Sequence, residues 1–317
     1  MSRARFLLFV SACLASGHAT AASEWFWQAD GQALLKEYQD APRLDNLFGV
    51  GALLAGDYLE RGGFRLGYNF RHKNFIAVAE GHPRDLNENI LHLGGFGNFY
   101  PDHLGGRLTL RMDSYAGRGE YRHLISASGP GALGQTSTDN FLVLNPIIAL
   151  LDYAQTTYFD LGYAYSRYRA AGGAIGNLYV HQWAPTLGLG FNHGLDWLQL
   201  RAFFVRPSSG NRVAEADSTK ALEVKWSHRL AVDAALGARD FTLSLLAGER
   251  RYAVDSDARV LNNVPDLQKG TLSLTVRWKF DDQSHLSLQG SYERYEDTAL
   301  GDDYGSMALL ATLAQRW

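Results

Sequence analysis

The sequence predicts an all-β fold, an antiparallel transmembrane β-barrel of about 14 strands, with 12 to 16 strands possible. Three observations predict it: segments that alternate between apolar and polar residues, links that alternate between short and long, and the composition. The chain has 33 Gly, 16 Tyr, 16 Phe and 7 Trp among 317 residues. Residues 22–317 contain no apolar run of 18 residues, so no spanning helix is expected.

The alternation divides most of the chain into strand-like segments. They lie roughly at 46–58, 63–71, 74–82, 89–100, 105–118, 137–153, 156–169, 178–193, 196–207, 219–237, 240–253, 268–280, 284–296 and 304–317. Most are long enough for a tilted strand to cross a bilayer.

Short and long links alternate from residue 105 onward. Short links lie at 153–156, 193–196, 237–240 and 281–284, and long links lie at 120–138, 170–177, 208–218, 255–267 and 296–303. An even number of strands places both chain ends on the side of the short turns. We therefore expect short turns at one end of the barrel and longer loops at the other.

The two faces of a strand can be assigned from its sequence. In segment 268–280, Leu272 and Leu274 share one face, while Thr275 and Arg277 share the other. A charged side chain facing lipid at mid-depth costs about 2–4 kcal/mol. The face that carries charge is therefore predicted to line the lumen. A soluble β-sandwich with one buried and one wet face is the alternative, and the length of the strands argues against it.

The last segment carries a family resemblance. Reading back from Trp317 in steps of two gives an apolar face with Leu313 and Leu309. A closing strand that stops on a terminal aromatic residue resembles the last strand of porin-like Gram-negative outer-membrane β-barrels. The resemblance implies that Trp317, Leu313 and Leu309 form the signal read by the barrel-assembly machinery. It also implies surrounding outer-membrane lipid, short turns in the periplasm, and periplasmic N- and C-termini.

The first residues are typical of an export signal. Basic residues precede an apolar run over 6–15, and the small-x-small triplet 19–21 fits a cleavage site, which predicts a signal peptide over 1–21. Acylation of Cys13, the single cysteine, is the alternative. We expect residues 22–44 to form a periplasmic N-terminal segment and 45–317 to form the barrel as one domain.

The predicted lumen is rich in bases. The basic residues on the polar faces are Arg65, Arg71, Arg107, Arg111, Arg201, Lys225, Arg229, Arg250, Arg277 and Lys279. The acidic residues there are Asp113, Asp160, Glu223, Asp233 and Glu293. Two interpretations stay open: a surface that concentrates anions, or ion pairs that fill a narrow barrel.

Catalytic and metal sites are not expected. His285 and Ser287 have the spacing of a lipid-hydrolase pair, but the residue after the serine is Leu288, and the pair follows a short turn. Acidic pairs at Asp255 with Asp257 and at Asp302 with Asp303 suit a solvated loop better than a calcium site. We therefore expect no enzyme activity, no cofactor and no metal. The net charge of −3 gives no reason to expect nucleic acid as a partner.

These patterns predict a passive outer-membrane channel for small polar, and in particular anionic, solutes. Two alternatives remain at this point. One is the barrel component of an exopolysaccharide or surface-protein export system, and the other is a filled structural or enzymatic barrel. An open lumen along the barrel axis would favour transport, whereas a closed one would favour the filled barrel.

Overall fold

The structure is a computed structural model of the 317-residue chain. It describes residues 24–76, 83–123, 136–171, 177–208, 218–231, 237–255, 260–261, 266–298 and 300–317. The predicted signal peptide over 1–21 and the alternative acylation site at Cys13 lie outside these residues.

Fourteen antiparallel strands form a closed barrel, as the alternation predicted. Two further short strands, β12 and β13, pair with each other inside one link. The strands are β1 Trp25–Gln39, β2 Leu44–Tyr58, β3 Gly62–Phe75, β4 Pro83–Phe99, β5 Gly106–His123, β6 Thr136–Asp152, β7 Thr157–Ala171, β8 Leu178–Phe191, β9 Asp196–Pro207, β10 Thr219–Arg229, β11 Ala238–Arg250, β12 Val254–Asp255, β13 Val260–Leu261, β14 Leu267–Lys279, β15 Ser284–Glu296 and β16 Asp303–Arg316. Within this described part of the chain, no helix is long and apolar enough to cross a membrane.

The first strand corrects the expected domain division. Most of segment 22–44, expected to lie before the barrel in the periplasm, is β1, which pairs with β2 on one side and with β16 on the other. Its outward positions include the small residues Ala29, Gly31 and Ala33, so the apolar alternation is weak there. The adjacent pair Leu34 and Leu35 hides the period further.

Other boundaries also differ from the prediction. No barrel strand corresponds to segment 74–82, because β3 continues to Phe75 and pairs directly with β4. Residues 77–82 of that segment lie outside the described residues. Segment 219–237 is shorter than predicted, since β10 ends at Arg229. The strand number was therefore right although one predicted segment was wrong and β1 was missed.

The links separate the barrel into two different ends. At the end that carries both termini, here called the terminus end, the links have three to eight residues. At the opposite loop end they have four to sixteen residues, the longest running from 251 to 266. The shortest link at the loop end, residues 40–43, joins β1 to β2. At the terminus end, Asp281 stabilises the β14–β15 turn by accepting hydrogen bonds from the backbone N–H groups of Gln283 and Ser284 at 2.7 and 2.6 Å.

Large apolar side chains cover the outer wall. Leu93, Leu142, Leu245 and Leu309 are each 44–58% exposed on four different strands, and their neighbours along each strand point inward. An isolated soluble protein rarely exposes so continuous an apolar surface. The apolar residues on the outside of each strand therefore face lipid, while the alternating polar residues face the interior.

Facing can be tested at neighbouring positions of β14. Leu274 points outward and is 48% exposed, whereas Thr275 points inward opposite Thr242. Leu274→Arg should cost about 2 kcal/mol more than Thr275→Arg, because only the first places a charge in lipid near mid-depth. Folding into lipid vesicles measures both variants, and equal losses would contradict the assigned facing.

The terminal tryptophan closes the barrel. Its N–H donates to the carbonyl of Trp27, and its carbonyl accepts from the Trp27 N–H, both at 3.0 Å. Deletion of Trp317 should lower the yield of folded barrel, because both bonds and an interfacial aromatic side chain are lost. Heat-modifiable electrophoretic mobility in membrane fractions measures this yield. Trp317→Phe is the matched control and should assemble normally, while full assembly of the deletion would count against the prediction.

Candidate functional site in the barrel interior

An inserted segment occupies part of the lumen at the loop end. After β11 the chain turns inward at Tyr252, whose φ is +50°. Tyr252, Ala253, Val254 and Asp255 are only 2–8% exposed although they belong to the longest link. We call residues 252–255 the inserted segment. Its burial means that this part of the link packs inside the barrel and does not cover it from outside.

Hydrogen bonds fix the inserted segment to the wall. The side-chain amide of Gln182 on β8 donates to the carbonyl of Val254 at 2.7 Å and accepts from its N–H at 2.9 Å. Asp255 lies 3.5 Å from a guanidinium nitrogen of Arg201 on β9. One glutamine thus satisfies both backbone groups of a buried residue, which would otherwise cost free energy to bury.

An apolar cluster surrounds the inserted segment in the loop half of the barrel. Every strand from β4 to β11 contributes a buried apolar residue to it. The ring of Tyr252 lies 5.2 Å from that of Tyr168, which in turn lies 5.8 Å from Phe141. Arg250 covers the ring of Phe203 at 4.9 Å. This side of the loop half is therefore filled by side chains.

Below the cluster, a buried arginine joins the wall to the inserted segment. Arg201 is 4% exposed, and its Nε donates to the hydroxyl of Thr186 at 2.9 Å. Its two terminal nitrogens lie 3.9 Å from Asp160 and 3.5 Å from Asp255. A buried arginine requires such compensation, since an unpaired buried charge is strongly destabilising.

A second charged group lies on β4 and β5. Asp113, 1% exposed, contacts Arg111 at 2.5 Å and the Nε2 atom of His92 at 3.3 Å. The His92 ring stacks on Tyr115 with 4.7 Å between centroids. A Cβ atom at Gly94 would lie 2.8 Å from the Asp113 carboxylate, so the glycine makes room for this group.

A third charged group lies where the first and last strands meet. Lys36 on β1 contacts Glu293 on β15 at 2.7 Å and donates to the hydroxyl of Tyr295 at 2.9 Å. On the other side of β14, Lys225 pairs with Glu223 at 3.1 Å. Ionisable residues thus line the interior at mid-height, mostly as oppositely charged pairs.

The basic residues at the terminus end are more accessible. Arg107, Arg229, Arg277 and Lys279 lie at the terminus-end limits of their strands on the inner face, and we call them the basic rim. The side chains of Arg277 and Lys279 are 49% and 35% exposed, and Arg277 lies 3.6 Å from Asp240. Basic charge in contact with water is therefore concentrated at this end of the lumen.

The predicted lumen residues separate into these two settings. The structure places Arg111, Asp113, Asp160, Arg201, Glu223, Lys225, Arg250 and Glu293 in the paired or packed interior, and Arg65, Arg107, Arg229, Arg277 and Lys279 nearer the terminus end. Arg71 also lies on the inner face of β3, opposite Glu88. Asp233 lies outside the described residues. Whether solutes pass these side chains stays a prediction.

The predicted two-to-one basic excess does not hold for the described part of the interior. Further acidic residues lie there beside the further bases Lys36, Lys73 and Arg316. These acids are Asp30, Asp57, Glu88, Asp139, Asp240, Asp255 and Asp266. Asp30 and Lys36 were missed because β1 was not recognised as a strand. Glu88 lies one residue before the predicted segment 89–100. Asp139 and Asp240 lie within the first three residues of the predicted segments 137–153 and 240–253.

Two acidic residues of the predicted links pair with bases on neighbouring strands. Asp255 pairs with Arg201, as described above, and Asp303 lies 3.5 Å from Lys269 and 3.6 Å from Arg294. Asp257 lies outside the described residues. Nothing in the described ranges groups three His, Cys, Asp or Glu side chains as metal ligands. His285 and Ser287 lie at the terminus end of β15, opposite Lys279 and Arg277.

Comparison with known proteins identifies the architecture. No protein-family model and no curated protein sequence matches the chain. Among solved structures, a TodX mutant described as a monoaromatic hydrocarbon channel is 13% identical, with a TM-score of 0.53, 96% of this chain covered and 94% of that one. The CymD monoaromatic hydrocarbon channel is 8% identical, with a TM-score of 0.53 and 92% and 87% covered. The Pseudomonas putida toluene transporter TodX is 10% identical, with a TM-score of 0.52 and 94% and 91% covered.

The chain has the fold of Gram-negative outer-membrane β-barrels. This bears out the resemblance inferred from the last strand, and no specific family is assigned. The similar structures named above are described as monoaromatic hydrocarbon channels and a toluene transporter. At these identities the likeness concerns the fold alone.

Removing the glutamine should release the inserted segment. Gln182→Ala leaves the N–H and carbonyl of Val254 without these partners, each worth about 1–3 kcal/mol when buried. Hydrogen exchange of a peptide spanning 252–255 should accelerate. Gln289→Ala, an inward-facing change on β15, is the matched control and should leave this peptide unchanged. Equal exchange in Gln182→Ala and the native protein would contradict the assigned restraint.

Proposed function

We propose that this protein is a channel of the outer membrane, with its termini and short turns in the periplasm, and that it passes small polar solutes with a preference for anions. The observation that carries the proposal is the basic rim at the terminus end of the lumen. There the accessible inner-face charges are mainly arginine and lysine, with Asp240 beside Arg277 and Asp282 beside Lys279, whereas at mid-height acids and bases pair within the buried interior.

The position of the basic rim supports selectivity at one entrance. Arg107, Arg229 and Arg277 belong to strands β5, β10 and β14, so the rim spans the barrel opening. Confined basic charge raises the local concentration of anions and lowers that of cations. Paired charges deeper inside add little net field, so the rim dominates the predicted preference.

The inserted segment supports a narrow path. Tyr252 to Asp255 occupy the side of the lumen lined by β4 to β11. On the other side, Tyr38, Leu44, Leu47, Tyr295 and Tyr304 form a separate buried cluster at the loop end. A solute would cross between or past these groups, which favours small molecules over polymers. An export role would require a wider opening than this packing favours.

Reversing the basic rim tests the proposal. Arg107→Glu, Arg229→Glu and Arg277→Glu together should shift ion preference toward cations, because three reversals change the rim by six charges. Arg201 is unsuitable for this test, since Glu there would face the carboxylates of Asp160 and Asp255. The reversal potential in a salt gradient across a planar bilayer measures the preference.

Three reversals away from the rim provide the control. Arg118→Glu, Arg169→Glu and Arg294→Glu change the same charge at exposed, outward-facing positions near the loop end and should leave the preference unchanged. Cation preference in the native protein would contradict the proposed preference for anions. Absence of conductance would contradict the channel function and favour a filled barrel.

A second candidate is a channel for small apolar molecules. It is favoured by the aromatic and aliphatic lining of the loop half, where Tyr168, Phe141 and Phe203 lie beside the inserted segment. The TodX and CymD channels that share the fold are described as passing monoaromatic hydrocarbons. Uptake of toluene by cells producing Gln182→Ala, compared with native protein and empty cells, tests this candidate; uptake equal in all three would remove it.

A further inference from the structure

A groove on the outer wall differs from the apolar surface around it. It lies at the loop end of strands β7 to β10 and has a volume of about 900 Å³. Its lining includes Tyr163, His181, Trp183, Phe204, Arg206 and Lys220. All six face outward, so the groove is separate from the lumen.

The upper part of this outer groove is basic. Arg206 stands opposite His181 in the β8–β9 ladder, and Lys220 stands opposite Phe204 in the β9–β10 ladder. Arg167 and Arg169 face outward on the neighbouring strand β7. On the described outer face of β7 to β10, the charged side chains at the loop end are all basic. Arg206, Lys220 and Arg169 are exposed.

The lower part of the outer groove is aromatic. Trp183 and Phe204 are 49% and 46% exposed, and the Tyr163 ring lies 4.7 Å from that of Trp183. The Tyr163 hydroxyl lies 2.7 Å from the Nδ1 atom of His181, which joins the aromatic part to the basic part. Further toward the terminus end the same wall continues with Leu187 and Leu200.

Elsewhere on the described outer wall at this height, Arg122, Lys269 and Arg294 each have an acidic partner. On β14 and β15, Lys269 lies 2.5 Å from Glu296, and Arg294 lies 3.6 Å from Asp303. On β4 and β5, Arg122 lies 2.6 Å from Asp85. The outer groove therefore combines positive charge, exposed aromatics and an apolar wall, three features that occur together at membrane interfaces that recognise anionic head groups.

We propose that the outer groove binds a phosphorylated lipid of the leaflet at the loop end, of the lipid A type. Arg206 and Lys220 would contact its phosphates, since guanidinium and ammonium groups form short charge-assisted bonds to phosphate oxygens. The acyl chains lie along Trp183 and Phe204 and then along the leucines below. A soluble anion would use the bases but would gain nothing from the exposed aromatic wall.

Native mass spectrometry of the full protein in detergent, titrated with diphosphoryl lipid A, tests the proposal. Arg206→Gln with Lys220→Gln should weaken retention about tenfold or more, because two charge-assisted contacts are lost. Lys269→Gln with Arg294→Gln, which removes the same charge outside the outer groove, should bind as the native protein does. Heat-modifiable mobility verifies that each variant is folded.

Two further measurements distinguish binding of the lipid from binding of a free anion. Trp183→Ala should also weaken retention, because the acyl chains lose an aromatic contact. Inorganic phosphate at matched concentration should not displace the lipid, whereas displacement would show that a free anion site had been measured. Equal retention in the groove and control variants, or equal binding of a lipid without phosphate, would overturn the proposal.

Discussion

The hydrogen bonds between the first and last strands are the constraint on which the rest of the structure depends. In lipid, an unpaired backbone N–H or carbonyl costs several kcal/mol, so a sheet can cross only if it has no free edge. Pairing of β1 with β16 from Gln28 to Gln39 removes both edges at once. Trp27 and Trp317 extend this pairing to the chain terminus. Without that seam, the outer leucines would still face lipid but the wall would be open.

Closure then decides what the interior must contain. Each strand that shows apolar residues to lipid directs its alternate residues into the enclosed interior, where many charged side chains are buried. Ionisable side chains in that space need partners, and the partners come from neighbouring strands and from the inserted segment. Arg201 illustrates the result, because it joins Thr186 and Asp160 on the wall to Asp255 in the lumen. The same contacts position the inserted segment.

The two ends of the lumen consequently have different chemistry. At the loop end, apolar side chains and the inserted segment pack with exposures of a few per cent, as in the core of a soluble protein. At the terminus end, the short links leave the inner face wetter, and basic side chains remain accessible there. In the proposed channel, a solute would pass from the basic rim to this packed region, so the packing of residues 252–255 would control the width of its path.

The sequence by itself determined the facing of well-alternating strands such as β14, because side-chain direction has a period of two that is local to each strand. It also determined that the sheet is a membrane barrel of about fourteen strands. Only the tertiary structure decided that β1 belongs to the wall, because its outer face is made of small residues. The charge balance and the role of Gln182 were likewise undetermined, since they depend on which groups meet across the lumen. Gln182 and Val254 are 72 residues apart in the chain, and no periodicity links them.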